Sequence, residues 1–306
     1  MILRVCGNFM LKTAGDFAPA VGTMAAQLCY LTLRLNQAAG VHPLVPQLRD
    51  RNRIRGILES DRRWAAYALA DLEPGYFEHS SWFVSAGASS AVVLVYSAFE
   101  IPVVLAAGDA ASLLPVFQEL RGLLKRSPTI YFVVRREVLP LLQGDYAVID
   151  RRPMLRMALE ADRFPGTTMD QTIRLGPGDL ESVTALFHDG DEAGEAPDCF
   201  LPTMLENGIY FGVHEGADLV AVAGTHVFAP GEGVAGLGNI YTRRDRRGCG
   251  LGGCVTAAVV SELLRRSIPT IVLNVNEANA PAIRLYEKLG FRRYCPYFEI
   301  IASPVE

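Results

Sequence analysis

The chain alternates two hydrophobic rhythms. Valine-rich runs bounded by turn residues at 82–85, 91–97, 101–106 and 129–134 predict strands, and 146–149 and 154–159 predict two more. Between them Leu113, Leu114, Phe117 and Leu120 recur at helical spacing behind Asp109, a good N-cap, and predict a helix to about Leu124. Residues 136–142 predict a short helix, as do 24–38, 48–58 and 63–69 further upstream. In the second half, 172–175 predicts a strand and 180–187 a helix. Strands at 209–214, 219–228 and 234–242 follow as an antiparallel meander, then a helix to about Arg266, a strand at 270–275, a helix at 280–289 and a last strand. The acidic loop 189–198 has few apolar anchors and is expected to be mobile.

Asp162, Pro165 and Gly166 punctuate residues 160–168 and predict a domain boundary there. The expected organisation is a poorly ordered extension over 1–45, an N-terminal α/β domain over 46–163 and a second domain over 169–306. The fold class is α/β, of the α+β type with mixed sheets.

Composition narrows the function. Of 306 residues half are apolar and a fifth charged, with a net charge of -4, so no bulk attraction to nucleic acid is expected. The densest basic cluster is Arg243, Arg244, Arg246 and Arg247. The six cysteines form no C-x-x-C pair and have no histidine at ligand spacing, so no metal is expected, and reduced thiols suit a cytoplasmic location. Residues 91–107 are the most apolar stretch, but Glu100 and Pro102 break them below membrane-spanning length. Residues 1–22 lack the apolar run and cleavage site of a signal peptide.

The chemistry concentrates after residue 239. Ile240, Tyr241 and Thr242 end a strand, the basic turn follows, and Gly248, Cys249, Gly250, Leu251, Gly252 and Gly253 open an amphipathic helix. Strand, glycine loop and helix in that order bind phosphate, because glycines let the backbone approach an anion and the first helical N–H groups have no internal partners. The arginine run could hold a further phosphate. Gly248, Gly250 and Gly253 also satisfy the G-x-G-x-x-G of a dinucleotide-binding fold, with Glu277 near the place of the ribose-binding acid. Against that reading, the glycines follow a meander, a charged turn intervenes, and too little chain remains for further βαβ units.

A second segment decides between the two. Asn279 caps and Gly290 stops a helix within NAPAIRLYEKLGF, residues 279–291. Together with Arg247-Gly248-Cys249-Gly250-Leu251-Gly252, this segment resembles the GNAT superfamily of N-acetyltransferases, whose pyrophosphate loop is R/Q-x-x-G-x-G/A and whose later helix reads N-x-x-A-x-x-L-Y-E-K-L-G-F. The resemblance covers about 169–304. It implies an acyltransferase taking acetyl-CoA or another short acyl-CoA, with no metal. Backbone at Ile240, Tyr241 and Thr242 would bind the pantetheine arm, Arg247 and residues 248–252 the pyrophosphate, and Asn279 the arm further along. Tyr286 would protonate the leaving thiolate.

The fourth strand of this domain carries no acid, since Gly236, Leu237, Gly238 and Asn239 stand there. His226 and Glu232 are the nearest proton acceptors, with water as the alternative. The acceptor would be the primary amine of a small molecule or peptide, and the acidic loop 189–198 would suit a cationic one. An acyl-CoA-binding regulator without catalysis is the non-enzyme alternative. The N-terminal block repeats the order of strands, helix, strand, helix and strand, with Ala107, Gly108 and Asp109 where a phosphate loop would stand. Two readings stand: a degenerate GNAT-like domain that no longer binds the cofactor, as in families resembling glycine N-acyltransferases, or an unrelated α/β domain with the same order by coincidence. The sequence says nothing of oligomeric state.

Overall fold

The computed structural model describes residues 47–84, 91–166, 171–191, 194–197 and 199–305. The predicted helix at 24–38 and the whole of the extension over 1–45 lie outside the described residues. The first elements are β1 (Gln47–Leu48), α1 (Arg51–Leu58), α2 (Ala66–Ala70), α3 (Pro74–Phe77), β2 (Ser80–Phe83), β3 (Val92–Tyr96), β4 (Val103–Ala107), α4 (Ala110–Leu124), β5 (Ile130–Arg135) and β6 (Tyr146–Leu159). They are followed by β7 (Ile173–Leu175), α5 (Leu180–Asp191), α6 (Pro202–Asn207), β8 (Tyr210–Glu215), β9 (Asp218–Ala229) and β10 (Val234–Thr242). The chain ends with α7 (Leu251–Arg265), β11 (Thr270–Asn276), α8 (Ala280–Lys288) and β12 (Phe291–Pro304).

Two compact units result, one from Met1–Asp61, Pro74–Pro153 and Tyr297–Glu306, the other from Arg62–Glu73 and Met154–Pro296. The division therefore falls ahead of the expected boundary at 160–168, and a short upstream segment joins the second unit. The reason lies in β6 and β12. The sequence suggests two strands over 146–159, but β6 is continuous, with an exposed polar middle at Asp150 and Arg151. Its ends serve different cores: Tyr146 packs in the first unit, Leu155 and Met157 in the second. In β12 the assignment is reversed, with Phe291 in the second core and Ile300 and Ala302 in the first.

In the first unit the strand order is β1-β2-β3-β4-β5-β12. β4 and β5 are parallel, from Val103 opposite Tyr131 to Leu105 opposite Val133, and the end of β12 runs antiparallel to β5. α4 is the crossover between the parallel strands. It buries Leu113, Val116, Phe117, Leu120 and Leu124, whereas Leu114, predicted for the apolar face, is exposed. A stripe at i, i+3, i+4, i+7 from Leu113 leaves no place for position 114. Residues 136–142 form a 3₁₀ helix, and Pro140 limits it.

In the second unit the order is β6-β11-β10-β9-β8-β7. β10 and β11 are parallel and the other printed pairings are antiparallel. One face carries α7, whose Val255, Val259 and Leu263 pack with Ala235, Leu237, Leu273 and Met157. The opposite face carries α5, whose Val183, Leu186 and Phe187 pack with Tyr210, Val222 and Tyr241. Each unit thus runs meander, crossover helix, parallel strand, and an antiparallel strand drawn from elsewhere in the chain.

Candidate functional site

The parallel pairing of β10 with β11 runs only from Val234 opposite Thr270 to Leu237 opposite Leu273. Beyond it, β11 stays paired with β6 at Asn274, Val275 and Asn276, while β10 stays paired with β9 at Tyr241 and Thr242. The sheet is therefore parted between Gly238–Thr242 of one strand and 274–276 of the other. A register shift in β10 between Gly238 and Tyr241 marks the opening. Asn239 sits in it with φ of 53°, a conformation asparagine tolerates better than other side chains. Its amide donates to the Tyr210 hydroxyl at 2.8 Å, which donates to the Thr225 carbonyl at 3.1 Å. Burial pushes the Tyr210 phenol up, so it remains a donor. This network fixes the bulge, and only the oddness of an asparagine inside an apolar strand hinted at it in the sequence.

At the open end of β10 the basic turn leads to Gly248 and Gly250, with φ of 81° and 82°. These left-handed values suit glycine. Gly250 is the N-cap of α7 and has no side chain to satisfy the helix's first N–H groups. The corresponding junction of the first unit is different. Asp109 caps α4, its carboxylate accepting from the Ser112 backbone N–H at 2.9 Å and the Ser112 hydroxyl at 2.8 Å, and those bonds lower its pKa.

Each arginine of the basic turn has an acidic partner. Arg243 pairs with Asp245 at 2.8 Å and Asp218 at 3.3 Å, Arg246 with Glu215 at 2.5 Å, and Arg244 with Asp189 at 3.8 Å. Arg247 alone folds back on the strand end, donating from Nε to the Thr242 carbonyl at 3.2 Å, with its Cζ 5.5 Å from the Tyr241 ring. Its Nη2 meets Glu195 at 2.7 Å, and that bond holds the Glu195 carboxyl below the usual range. Asp189 is also held low, first by the Arg244 backbone N–H and further by the Tyr241 hydroxyl at 2.9 Å. So the described part of the acidic loop, expected to be mobile, is tied to the basic turn, and Glu195 also donates its N–H to Gly190 at 2.9 Å.

Asn279 caps α8, its side-chain oxygen accepting from the Ala282 N–H at 3.2 Å. Tyr286, on the same helix, is buried in the core beside Leu273, Val275 and Phe291, and burial pushes its phenol up to about 12. His226 of β9 lies beside Gly238, where an added Cβ would come within 2.8 Å of the His226 Cβ. Glu232 lies before the start of β10, and the paired stretch 234–237 separates it from the parting. Of the two sequence candidates for proton acceptor, the fold brings only His226 to the opening.

Segment 62–73, which reads as helical, packs on this sheet in a way its sequence does not signal. Arg62 donates to Thr270 Oγ1 at 2.7 Å and to the Glu232 carbonyl, while Glu73 accepts from the Gly231 N–H at 3.1 Å. Arg156 of β6 is almost fully buried. It donates to Asn274 Oδ1 at 2.6 Å and to the Trp64 carbonyl at 2.7 Å. Among the described residues no His, Cys, Asp and Glu cluster could hold a metal ion, and no helix is long and apolar enough to cross a membrane.

Parted parallel strands, a bulge at the parting and a glycine-opened crossover helix together make the fold of the second unit that of the GNAT N-acetyltransferases. Residues 210–298 match the model of the FR47-like protein family. A mycothiol acetyltransferase from Thermobispora bispora is 38% identical over 89 residues, 28% of this chain and 30% of that protein. Another, from Geodermatophilus obscurus, is 28% identical over 172 residues, 52% of this chain and 54% of that protein. The matched stretches thus span from about a third to about half of these relatives. A GNAT-family acetyltransferase from Novosphingobium aromaticivorans superposes with a TM-score of 0.57 at 23% identity, covering 80% of this chain and 100% of that one. A tandem GNAT protein from the clavulanic acid biosynthesis pathway gives 0.54 at 14% identity, over 84% of this chain and 97% of that one. That likeness extends the GNAT-like fold to the first unit.

Proposed function

We propose that this chain is an acetyl-CoA-dependent N-acetyltransferase that moves an acetyl or other short acyl group to a primary amine by direct attack. The observation that carries this reading is the parting of β10 from β11 after Leu237 and Leu273, next to the uncapped N-terminus of α7. Backbone groups of Ile240, Tyr241 and Thr242 on the parted edge of β10 suit a pantetheine arm. Gly248, Cys249, Gly250, Leu251 and Gly252 suit a pyrophosphate, where no side chain competes for the helix N–H groups. Arg247 adds charge at the strand end. The Asn279 oxygen is taken by the helix cap, so its amide N–H₂ is the group that would reach the arm.

The reaction needs a neutral amine to attack the thioester carbonyl, forming the C–N bond as the C–S bond breaks. His226, beside the parting, accepts the proton that the amine loses. Tyr286, kept neutral by a phenol pKa pushed up to about 12, gives a proton to the departing thiolate. The name shared by the curated relatives favours a small-molecule acceptor over a peptide, and a reducing cytoplasm suits the free thiols of Cys249 and Cys254.

The test is release of free thiol from acetyl-CoA across a panel of polyamines, amino acids, aminoglycosides and peptides, with binding measured on the same sample. Turnover with one acceptor class is the expected result. Binding without turnover throughout the panel would favour an acyl-CoA-binding regulator.

A further inference from the structure

The face of the second sheet turned away from α7 holds a row of residues at the parting. Arg156 and Asn274 stand opposite each other on β6 and β11, and Gly236 and Gly238 lie on β10. The next strand, β9, brings His226. Their sequence neighbours Leu155, Met157, Leu273, Val275, Ala235 and Leu237 all pack on the α7 side, so these side chains are directed to the other. Over the row lies Tyr67 of α2. A Cβ at Gly236 would come within 2.8 Å of the Tyr67 hydroxyl and ring, so the glycine is what lets the ring lie on the strand. The ring is edge-on to His226, 5.9 Å between centroids at 86°, and 4.8 Å from Arg156 Cζ.

Position along β10 gives this contact its meaning. The arm of an acyl-CoA laid along the parted edge would run from Thr242 towards Gly238, with its thioester near the last paired residues, Leu237 and Leu273. An acyl chain continuing in that direction passes His226, which packs on Gly238, and meets Tyr67, which packs on Gly236. The ring is also held in place. Arg62 ties the segment to Gly233 at 3.1 Å and to Thr270, Glu73 ties it to Gly231, and Arg156 bonds the Arg63 and Trp64 carbonyls at 3.2 and 2.7 Å.

We propose that Tyr67 is the end wall of the acyl pocket, closing it over Gly236 of β10 so that an acetyl group fits and longer acyl chains do not. This rests on the transferase reading above and deepens it by naming what selects the acyl group. His226 and the Arg156–Asn274 pair form the sides, leaving the acceptor amine to approach past His226. The segment 62–73 thereby supplies a specificity-determining residue from a part of the chain outside the family motifs.

Because the acceptor is not needed to read acyl-chain selection, the test is calorimetric titration with acetyl-CoA, hexanoyl-CoA and free CoA. Wild type is expected to bind acetyl-CoA more tightly than hexanoyl-CoA. Tyr67→Ala should improve hexanoyl-CoA binding relative to acetyl-CoA by about tenfold or more, the scale on which an apolar pocket distinguishes methylenes. Free CoA should bind both proteins alike. Tyr67→Val, a milder truncation, should shift the ratio the same way and stands in if the alanine variant does not fold. An unchanged ratio in a variant that still binds free CoA would overturn the end wall while leaving the transferase reading intact. Failure of folded wild type to bind any of the three would overturn both.

Discussion

Replacing Gly250 by Val separates two properties that meet at one residue. Its φ of 82° costs an L-residue roughly 1–2 kcal/mol, and more for a β-branched one. At roughly 2–4 °C per kcal/mol for a chain of this size class, the apo melting temperature should fall by about 3–8 °C. The side chain would also stand before the α7 N-terminus. Loss of two backbone bonds to a charged pyrophosphate, at roughly 1.5–3 kcal/mol each, weakens coenzyme A by at least a hundredfold. At a concentration about a hundred times the wild-type dissociation constant, coenzyme A stabilises wild type by about 2.7 kcal/mol and the variant by only about 0.4 kcal/mol. Gly144→Val is the control. Gly144 has φ of 84° with nothing within 4 Å of an added Cβ, so it carries the backbone cost without touching the candidate site. Differential scanning calorimetry of the three proteins with and without coenzyme A checks the argument. A full ligand shift in Gly250→Val would place the pyrophosphate elsewhere, and an unchanged apo midpoint would contradict the left-handed conformation.

Tyr286→Phe should lower turnover by roughly a hundredfold with little change in coenzyme A affinity, measured by single-turnover kinetics where chemistry limits the rate; equal losses in both would make it a packing residue. Calorimetry should find one coenzyme A per chain, because the Asp109 carboxylate occupies the helix start of the first unit, and a second site would refute that reading. Glu195→Gln should tighten coenzyme A by up to about fivefold at low salt, since it removes a carboxylate that competes for Arg247 across an exposed pair; an unchanged affinity would remove Arg247 from the phosphate site. The Glu262 carboxyl is held down to about 2, chiefly by its hydrogen bond from Arg265 and also by Arg266. A depressed acid contributes stability above its unfolded value and loses it as pH falls, so urea unfolding should show wild type losing more stability than Glu262→Gln between about pH 4.5 and 2.

The elements that carry the site were legible because their signals are local. Leu251, Val255, Val259 and Leu263 repeat at helical spacing, and Asn279 and Gly290 bound α8 where the sequence places the cap and the stop. Features depending on partners far along the chain were not. Arg247 reads as a phosphate ligand from its neighbours, but its pairing with Glu195 depends on how α5 and its loop dock. Helix α6 was missed because it has six residues and no repeat long enough to register. Segment 62–73 reads as helical, yet nothing in its pattern says which sheet it covers. That is fixed by Arg156, a charged residue in an otherwise apolar strand end whose burial only long-range bonds explain.

Each unit takes a strand end from a strand whose other end serves the other unit. The antiparallel strand beside β11 is the end of β6, reached only after β1 to β5 of the first unit, and it carries Arg156 opposite Asn274 at the parting. The strand beside β5 is the end of β12, which follows the α8 motif. Neither unit's sheet is complete from its own contiguous residues. The crossover helix of the first unit is closed at its start. Asp109 caps α4 there with a side chain, the ordinary way to stabilise a helix start, whereas Gly250 leaves its helix uncapped. An uncapped N-terminus lowers stability by an amount a bound anion restores, so of these two helix starts only that of α7 gains from a phosphate.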